Sequence, residues 1–283
     1  MYPRLFHIGP FDFGPFHIGT ITVYGYGLML AVGFIIASYV LANEFKRRKL
    51  DPNFANNITI IALLAGVAGS KILYLIENLN EFLADPFGMT FSPGGLTFYG
   101  GFILATLCIY FYGKKKKLGF FLMGDAIAPA LMLGYGIARV GCHLAGDGDY
   151  GFPTSLPWGT DYANGTYPPS IAFRDFPEVT GKFPGGIVPD HTLCHPTPIY
   201  ELIICVVMFF ILWRLRKNIQ PVGKLFMLYL VLAGLERFSI EFLRINQRLL
   251  FGLSEAQLIA IVLIAVGSIG WWKFSRQTAQ PSQ

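Results

Sequence analysis

The chain is poor in charge: only 14% of its 283 residues are charged, whereas 53% are hydrophobic. An ordinary soluble domain carries about 25% charged residues, so the shortage excludes a soluble protein and indicates an integral membrane protein. The net charge of +5 does not indicate nucleic acid, because the positive residues form short clusters between apolar runs, as in multi-pass membrane chains.

Cysteine is also scarce. The four cysteines, Cys108, Cys142, Cys194 and Cys205, show no spacing typical of a metal site, and we expect no metal and no other cofactor. Cys108 and Cys205 lie in apolar runs and are expected to be buried. Cys142 and Cys194 fall at or beyond membrane ends on one side, so a disulfide between them is left open.

Apolar runs that approach the roughly 20 residues of a membrane span occur seven times. They cover about 24–42, 57–76, 96–112, 120–140, 198–213, 225–243 and 256–272. The sequence therefore predicts an all-α integral membrane protein with seven transmembrane helices. We predict one polytopic domain, 1–283, with a long outer-face loop region at about 141–197 between the fourth and fifth helices.

The positions of Lys and Arg predict the orientation. Of the 22, fourteen lie in clusters at 46–49, 114–117, 214–224 and 273–276, five lie on the opposite side and three lie within predicted helices. Cytoplasmic loops carry the excess of Lys and Arg, so the C-terminus is predicted in the cytoplasm and the N-terminus outside. An odd number of spans agrees with this orientation.

Charged residues inside the predicted helices indicate a site. Arg139 lies near the end of the fourth helix, where a guanidinium is costly and needs a partner. The sixth helix carries Arg237, Glu241 and Arg244 at spacings that place all three on one helix face, within reach of ion pairs. Together with Lys71 in the second helix, they predict a cavity for an anion, and two forked guanidiniums suit a phosphate. A lone Arg–Glu pair would equally serve as a structural pin.

Five motifs follow one another along the chain. They are Tyr24-Gly-Tyr26-Gly-Leu-Met, Gly94-Gly-Leu-Thr-Phe-Tyr99-Gly-Gly, Arg139-Val-Gly-Cys142-His-Leu-Ala-Gly-Asp147-Gly-Asp-Tyr-Gly151, His195-Pro-Thr-Pro-Ile-Tyr200-Glu201 and Arg237-Phe-Ser-Ile-Glu241-Phe-Leu-Arg244. Over nearly its whole length the chain resembles the bacterial phosphatidylglycerol–prolipoprotein diacylglyceryl transferases.

The resemblance implies a reaction. The thiol of a lipobox cysteine attacks the terminal glyceryl carbon of phosphatidylglycerol, a thioether-linked diacylglyceryl group forms, and glycerol 1-phosphate leaves. Such a displacement needs an activated thiolate and a stabilised phosphate leaving group. The implied catalytic residues are Arg139, Arg237, Tyr99 and His143. The implied substrate-binding residues are Tyr26, Lys71, Cys142, Asp147, Gly151, Glu241 and Arg244.

Four positions depart from the family pattern. Tyr99 stands where the family usually has His, Cys142 where it has Asn, Asp147 where it has Glu, and Lys71 where it has Arg. Tyrosine has an unperturbed pKa of about 10 and is a poor base at neutral pH. Three explanations stay open: an arginine lowers the pKa, His143 substitutes for Tyr99, or the base is dispensable.

The resemblance also implies partners and a location. The partners are phosphatidylglycerol, prolipoprotein signal peptides with a lipobox cysteine and membrane lipid, with no nucleic acid. The location is the bacterial inner (cytoplasmic) membrane, with the active site toward the periplasmic face and the long outer loop as the docking surface for the signal peptide.

Two alternatives to this activity remain. A transporter of lipid or small anions would also carry buried Arg and Glu, although no inverted repeat is evident in the chain. A paralogue of the family with altered or lost activity would explain Tyr99 and Cys142.

Overall fold

The structure is a computed structural model that describes residues 1–13, 16–92, 94–95 and 97–279. Its strands are β1 (Arg4–Ile8), β2 (Phe11–Phe13), β3 (Phe16–Ile18), β4 (Ile21–Tyr24), β5 (Thr160–Asp161) and β6 (Leu193–Cys194). Its helices are α1 (Gly25–Arg47), α2 (Asn53–Glu77), α3 (Leu79–Ala84), α4 (Pro86–Phe91), α5 (Phe98–Lys115), α6 (Phe120–Ala145), α7 (Pro169–Ala172), α8 (Pro177–Thr180), α9 (Thr197–Leu215), α10 (Lys224–Ile240) and α11 (Glu255–Ala279).

Each of the seven predicted spans coincides with a long helix, and the predicted start of the third span, Leu96, lies outside the described residues. Five of these helices, α1, α2, α6, α9 and α11, are long and apolar enough to cross a membrane. The helices α5 and α10 have 18 and 17 residues. At about 1.5 Å per residue, 17 residues rise about 26 Å, less than the roughly 30 Å hydrocarbon core. The prediction of a mostly helical, multi-span chain is confirmed, whereas the count of seven spans stays a prediction.

The chain divides into two compact units, one of Met1–Ala37 with Ala128–Gln283 and one of Ser38–Ile127. The first unit begins with a hairpin that the helical prediction lacks. Strand β1 pairs antiparallel with β4, from Arg4 opposite Tyr24 to Ile8 opposite Ile21. Strands β2 and β3 pair between them, so the N-terminal segment is a paired β-structure that leads directly into α1.

In the first unit, the part of helix α6 after Ile127 packs closely against α1 and α9, because two of its glycines let these neighbours approach. A Cβ at Gly141 would lie 3.0 Å from the Cα of Tyr26 in α1, and a Cβ at Gly136 would lie 2.7 Å from the Cβ of Cys205 in α9. Small residues at helix contacts are typical of membrane bundles. Both contacts flank Arg139, so they fix the part of α6 that carries it.

Helix α6 is also longer than predicted. The expected end was Val140, but the helix continues to Ala145. Gly146 then adopts a left-handed φ of +56°, and its N–H donates to the Cys142 carbonyl at 2.9 Å, as at other glycine-terminated helices. The prediction of a loop from residue 141 is therefore wrong for Cys142 and His143, which are helical because the left-handed turn that ends the helix comes only at Gly146.

The predicted outer loop forms a packed structure with its own apolar core. The buried residues of this core are Tyr150, Tyr162, Phe173, Val179, Val188 and Cys194. The rings of Tyr150 and Tyr162 stack with centroids 4.1 Å apart, and β5 pairs antiparallel with β6. All four cysteines are free thiols, so Cys142 and Cys194 form no disulfide.

The second unit contains a close contact between α2 and α5. A Cβ at Gly69 of α2 would lie 2.7 Å from the Cβ of Leu104, and one at Gly100 of α5 would lie 3.0 Å from the carbonyl carbon of Gly69. The two backbones therefore meet at a point where no larger side chain fits.

Candidate active site

Arg139 is held by two acidic residues and a tyrosine. Its Nη1 forms an ion pair with Asp149, and its Nε forms one with Oε2 of Glu201. Its Nη2 donates to the Tyr135 hydroxyl at 2.6 Å, and the guanidinium lies 4.7 Å from the centroid of that ring. The partners that the Arg139 guanidinium needs in this apolar helix therefore come from α6 itself, from the loop that follows it and from α9.

Glu201 is the centre of the charged group. It lies in the second turn of α9 and is fully buried. While its Oε2 contacts Arg139, its Oε1 lies 3.5 Å from Nη1 of Arg237 and 3.2 Å from Nη1 of Arg244. One carboxylate therefore organises three guanidiniums.

The predicted ion pairs at the end of α10 are present, but the predicted shared helix face is wrong for Arg244. Nη2 of Arg237 lies 3.2 Å from Oε2 of Glu241, and Nε of Arg244 lies 3.9 Å from the same oxygen. The helix ends at Ile240, three residues before the predicted end. Arg244 lies beyond it, in a β-bridge with Gly151, because the chain there pairs with the loop after α6.

Asp149 connects the loop to the same group. It forms ion pairs with Arg139 and with Nη2 of Arg244. Burial alone would raise the pKa of this carboxyl, but the two guanidiniums outweigh burial and lower the pKa to about 2. The backbone is fixed as well, since the Thr197 hydroxyl donates to the Asp149 carbonyl at 2.6 Å. The arginine cluster, as we name it, consists of Arg139, Arg237, Arg244, Asp149, Glu201 and Glu241.

The three guanidiniums of the arginine cluster differ in accessibility. The side chain of Arg244 is 6% exposed, that of Arg139 15%, and that of Arg237 24%. Among the described residues, the ion pairs of Arg237 are at 3.2 Å and 3.5 Å, whereas Arg139 and Arg244 each form a shorter one with Asp149. Arg237 is therefore the guanidinium most available to a ligand, while Arg244 is enclosed by carboxylates.

Cys142 and Asp147 lie beside the arginine cluster. Nη1 of Arg139 donates to Sγ of Cys142 at 3.7 Å. Burial is the largest cause that raises the pKa of Asp147, and the negative charge of the nearby Asp149 raises it further. One potential ligand atom from each of Cys142, Asp147 and Asp149 lies within 4.8 Å of the others. A metal ion there would have to displace two guanidiniums from Asp149, so the donor set fits a cation poorly.

Gly151 and Tyr26 are both close to the arginine cluster. The N–H of Gly151 donates to the His195 carbonyl at 2.9 Å, and a Cβ at Gly151 would lie 2.9 Å from Cγ2 of Thr197. Only glycine fits between these segments. Tyr26 packs its backbone against Gly141 and interacts electrostatically with Arg139.

The other predicted residues lie apart from the arginine cluster or in the second unit. His143 places Nδ1 3.0 Å from the Tyr162 hydroxyl, at the core of the loop structure. Lys71 donates from Nζ to the carbonyl of Ser92, to its hydroxyl and to the carbonyl of Gly94, at 3.0, 2.9 and 2.8 Å. Tyr99 lies in the first turn of α5 and is 43% exposed. The first unit therefore brings together Arg139, Arg237, Glu241 and Arg244 of the predicted set.

Three members of the site were missed as site residues by the sequence reasoning: Tyr135, Asp149 and Glu201. Asp149 lies within the motif Arg139–Gly151 and Glu201 ends the motif His195–Glu201, but local spacing indicates no partner for either residue. The rule that a buried charge requires a partner calls for acids near Arg139, yet Glu201 is 62 positions away in sequence and only the fold brings it close.

Long apolar helices around a buried cluster of three arginines and three carboxylates define a multi-pass membrane protein with a charged site. The model of the prolipoprotein diacylglyceryl transferase family matches residues 14–273. The chain therefore belongs to this family of enzymes.

Individual relatives agree. A phosphatidylglycerol–prolipoprotein diacylglyceryl transferase of Clostridium tetani is 32% identical over 254 residues, which cover 89% of this chain and 93% of the relative. An enzyme of the same name from Corynebacterium diphtheriae is 31% identical over 264 residues, covering 90% of each chain. One from Leptospira interrogans is 28% identical over 294 residues, covering 86% of each.

Proposed function

We propose that the protein transfers the diacylglyceryl group of phosphatidylglycerol to the lipobox cysteine of prolipoproteins. The sulfur forms a thioether with the terminal glyceryl carbon, the bond from that carbon to the phosphate oxygen breaks, and glycerol 1-phosphate leaves. The family supports this activity, as do the names of the relatives. No cofactor is required, because the substrates supply both the nucleophile and the leaving group.

The observation that carries the mechanism is the convergence of three guanidiniums on Glu201. The leaving phosphate gains negative charge as the carbon–oxygen bond breaks, and fixed cationic donors stabilise that charge best when no reorganisation is needed. Arg237, the most exposed guanidinium of the arginine cluster, is the primary phosphate contact in this proposal. Arg139 is the second arm of the clamp.

The carboxylates and Arg244 orient the clamp. Arg244 is enclosed by Asp149, Glu201 and Glu241, so its role is to fix the acids that position the other two arginines. Ion pairs that share acceptors hold each guanidinium in one orientation.

The wall of the headgroup site is assigned to Tyr26, Cys142, Asp147 and Gly151. The contacts of Gly141 with Tyr26, and of Arg139 with Cys142, support this assignment. Lys71 is proposed as a further substrate-binding residue, although its Nζ donates to Ser92 and Gly94.

The group that removes the thiol proton is Tyr99 or His143 in this proposal. His143 is engaged with the Tyr162 hydroxyl, which favours a structural role for it. Tyr99 is half-exposed at the start of α5, and it occupies the motif position where the family usually has His. Tyr99 is therefore the first candidate for the base.

The proposed membrane arrangement has seven spans, with α5 and α10 as the two short ones. The N-terminus lies outside, the C-terminus lies in the cytoplasm, and the arginine cluster faces the periplasm of a bacterial inner membrane. The clusters of Lys and Arg at 46–49, 114–117, 214–224 and 273–276 support this orientation. The loop structure after α6 is the proposed docking surface for the signal peptide.

The purified protein, incubated in nanodiscs with phosphatidylglycerol and a lipobox peptide, tests the activity. We expect mass spectrometry to detect a diacylglyceryl thioether on the peptide cysteine, with equimolar glycerol phosphate. A peptide with serine in place of that cysteine is the matched control and should stay unmodified. Lipid movement without product would indicate a transporter, and neither activity would indicate a paralogue that has lost the reaction.

A further inference from the structure

Glu236 is a buried acid for which the proposed mechanism has no role. It lies near the end of α10, directly before Arg237, and is 4% exposed. Among the residues that the structure describes, its Oε1 has no hydrogen-bond partner. The ion pairs of the arginine cluster are formed without it. A buried carboxyl oxygen without a partner is rare and calls for an explanation.

The titratable groups around Glu236 come from three helices and the segment after α10. They are Tyr135 and Arg139 of α6, Glu201 and Cys205 of α9, Tyr229 and Arg237 of α10, and Arg244. Helix α11 contributes Ala260 and Ile264 beside Gly234, and neither of them titrates. Glu236 therefore lies within electrostatic range of all three guanidiniums.

The charge of the arginine cluster is balanced without Glu236. Arg139, Arg237 and Arg244 supply three positive charges, and Asp149, Glu201 and Glu241 supply three negative ones. An ionised Glu236 would be a fourth carboxylate, beside the buried Glu201, with no guanidinium of the arginine cluster left to pair it. Buried carboxyl groups in such surroundings take up a proton, since the neutral acid avoids the cost of an uncompensated charge.

Ionisation of Glu236 would act on Arg237 in particular. Arg237 is adjacent in sequence, has the most exposed side chain of the three and, unlike Arg139 and Arg244, forms no close ion pair with Asp149 among the described residues. A negative Glu236 would attract this guanidinium and would repel an incoming phosphate, and both effects are strong at short range in a protein interior. A neutral Glu236 has neither effect.

We propose that Glu236 is a neutral carboxylic acid in the working enzyme, and that its protonation keeps Arg237 available for the anionic phosphate of the lipid substrate. Glu236 is a positioning residue: its proton exchanges with water, and no bond of the transfer reaction forms or breaks on it. The inference rests on the proposed function, because it assigns the phosphate to Arg237.

The kinetic test compares the wild type with Glu236→Gln, which imposes the neutral form. The matched control is Glu81→Gln, which removes an exposed carboxyl in α3, outside the proposed docking surface. Transfer in nanodiscs at a fixed concentration of lipobox peptide gives kcat and the KM for phosphatidylglycerol at several pH values. In the wild type and in the control, we expect that KM to rise about tenfold between about pH 6 and about pH 9, the effect of one added charge nearby. In Glu236→Gln the KM for phosphatidylglycerol should stay low over the whole pH range.

A Glu236→Gln enzyme whose KM rises with pH as the wild-type value does would overturn the proposal.

An infrared experiment gives a second readout that needs no turnover. Wild-type protein at neutral pH should show the carbonyl stretch of a protonated carboxylic acid, absent from Glu236→Gln and retained in Glu81→Gln. Identical infrared spectra for all three proteins would also contradict the proposal that Glu236 is neutral. Raising the pH of the wild type should remove the band, a measurement that does not require the variant to fold. Loss of transfer in every protein while the band is present would count against the proposed function instead.

Discussion

Replacement of Glu201 by glutamine is expected to disable the arginine cluster. Glu201 is fully buried, and its two oxygens contact Arg139, Arg237 and Arg244. Glutamine keeps one acceptor oxygen but turns an NH2 group toward a guanidinium, so at least one arginine loses its acceptor. Removing one partner of a buried pair costs about 3–5 kcal/mol. The retained oxygen puts the expected loss near the lower end, at about 3 kcal/mol.

Two assays measure this effect. Thermal unfolding in nanodiscs should show a clear loss of stability for Glu201→Gln. The kcat/KM for transfer should fall about a hundredfold, the usual cost of losing one fixed donor to the developing negative charge. The matched control Glu81→Gln should stay within about 0.5 kcal/mol of the wild type, as surface substitutions usually do. A Glu201→Gln enzyme with wild-type stability and wild-type kcat/KM would refute the reasoning that one carboxylate organises three arginines.

Further substitutions test the other parts of the site. Arg237→Lys should lower kcat/KM for phosphatidylglycerol at least about tenfold, because an ammonium cannot make the forked contact; Michaelis–Menten kinetics with unchanged values would exclude Arg237 as the phosphate contact. Arg244→Lys should reduce thermal stability more than Arg237→Lys does, because Arg244 is the more enclosed; the opposite order in thermal unfolding would contradict its assigned role. The lowered pKa of Asp149, about 2, means that its contribution to stability is complete above the unfolded value of about 3.9 and is lost as the pH falls through about 2. In acid unfolding experiments, the wild type should therefore lose stability as the pH falls, by an amount that Asp149→Asn does not lose. Superimposable curves for the two proteins would disprove the contribution of Asp149. Tyr99→Phe should lower the transfer rate, whereas an unchanged pH–rate profile would remove Tyr99 as the base and leave either His143 or a reaction that needs no base.

Helix positions could be predicted from the sequence because apolar runs report directly on burial in a membrane. The fifth span, predicted over 198–213, corresponds to α9 at Thr197–Leu215. The seventh span, predicted over 256–272, begins one residue after the observed start of α11 at Glu255. Helix ends were less accurate. Helix α6 passes Val140 because the residues as far as Ala145 are compatible with a helix, and α10 stops at Ile240 because the chain turns to pair Arg244 with Gly151.

Long-range partners could not be predicted from local patterns. The ion pair of Arg237 with Glu241 lies within one helix turn and follows from spacing alone. The ion pairs of Glu201 join α9 to α6 and to the end of α10, and no periodicity in the sequence reports on them. The core around Tyr150 and Tyr162 was missed for the same reason, since its aromatic residues are spaced irregularly along a segment that lacks long helices.

The central claim, that Arg237 and Arg139 hold the phosphate of the lipid, is tested most directly by a structure of the protein with a non-reactive phosphatidylglycerol analogue. We expect the phosphate within hydrogen-bond distance of both guanidiniums, with Arg244 still enclosed by Asp149, Glu201 and Glu241. A phosphate bound away from the arginine cluster, or bound at Arg244 with Arg237 turned aside, would contradict the claim.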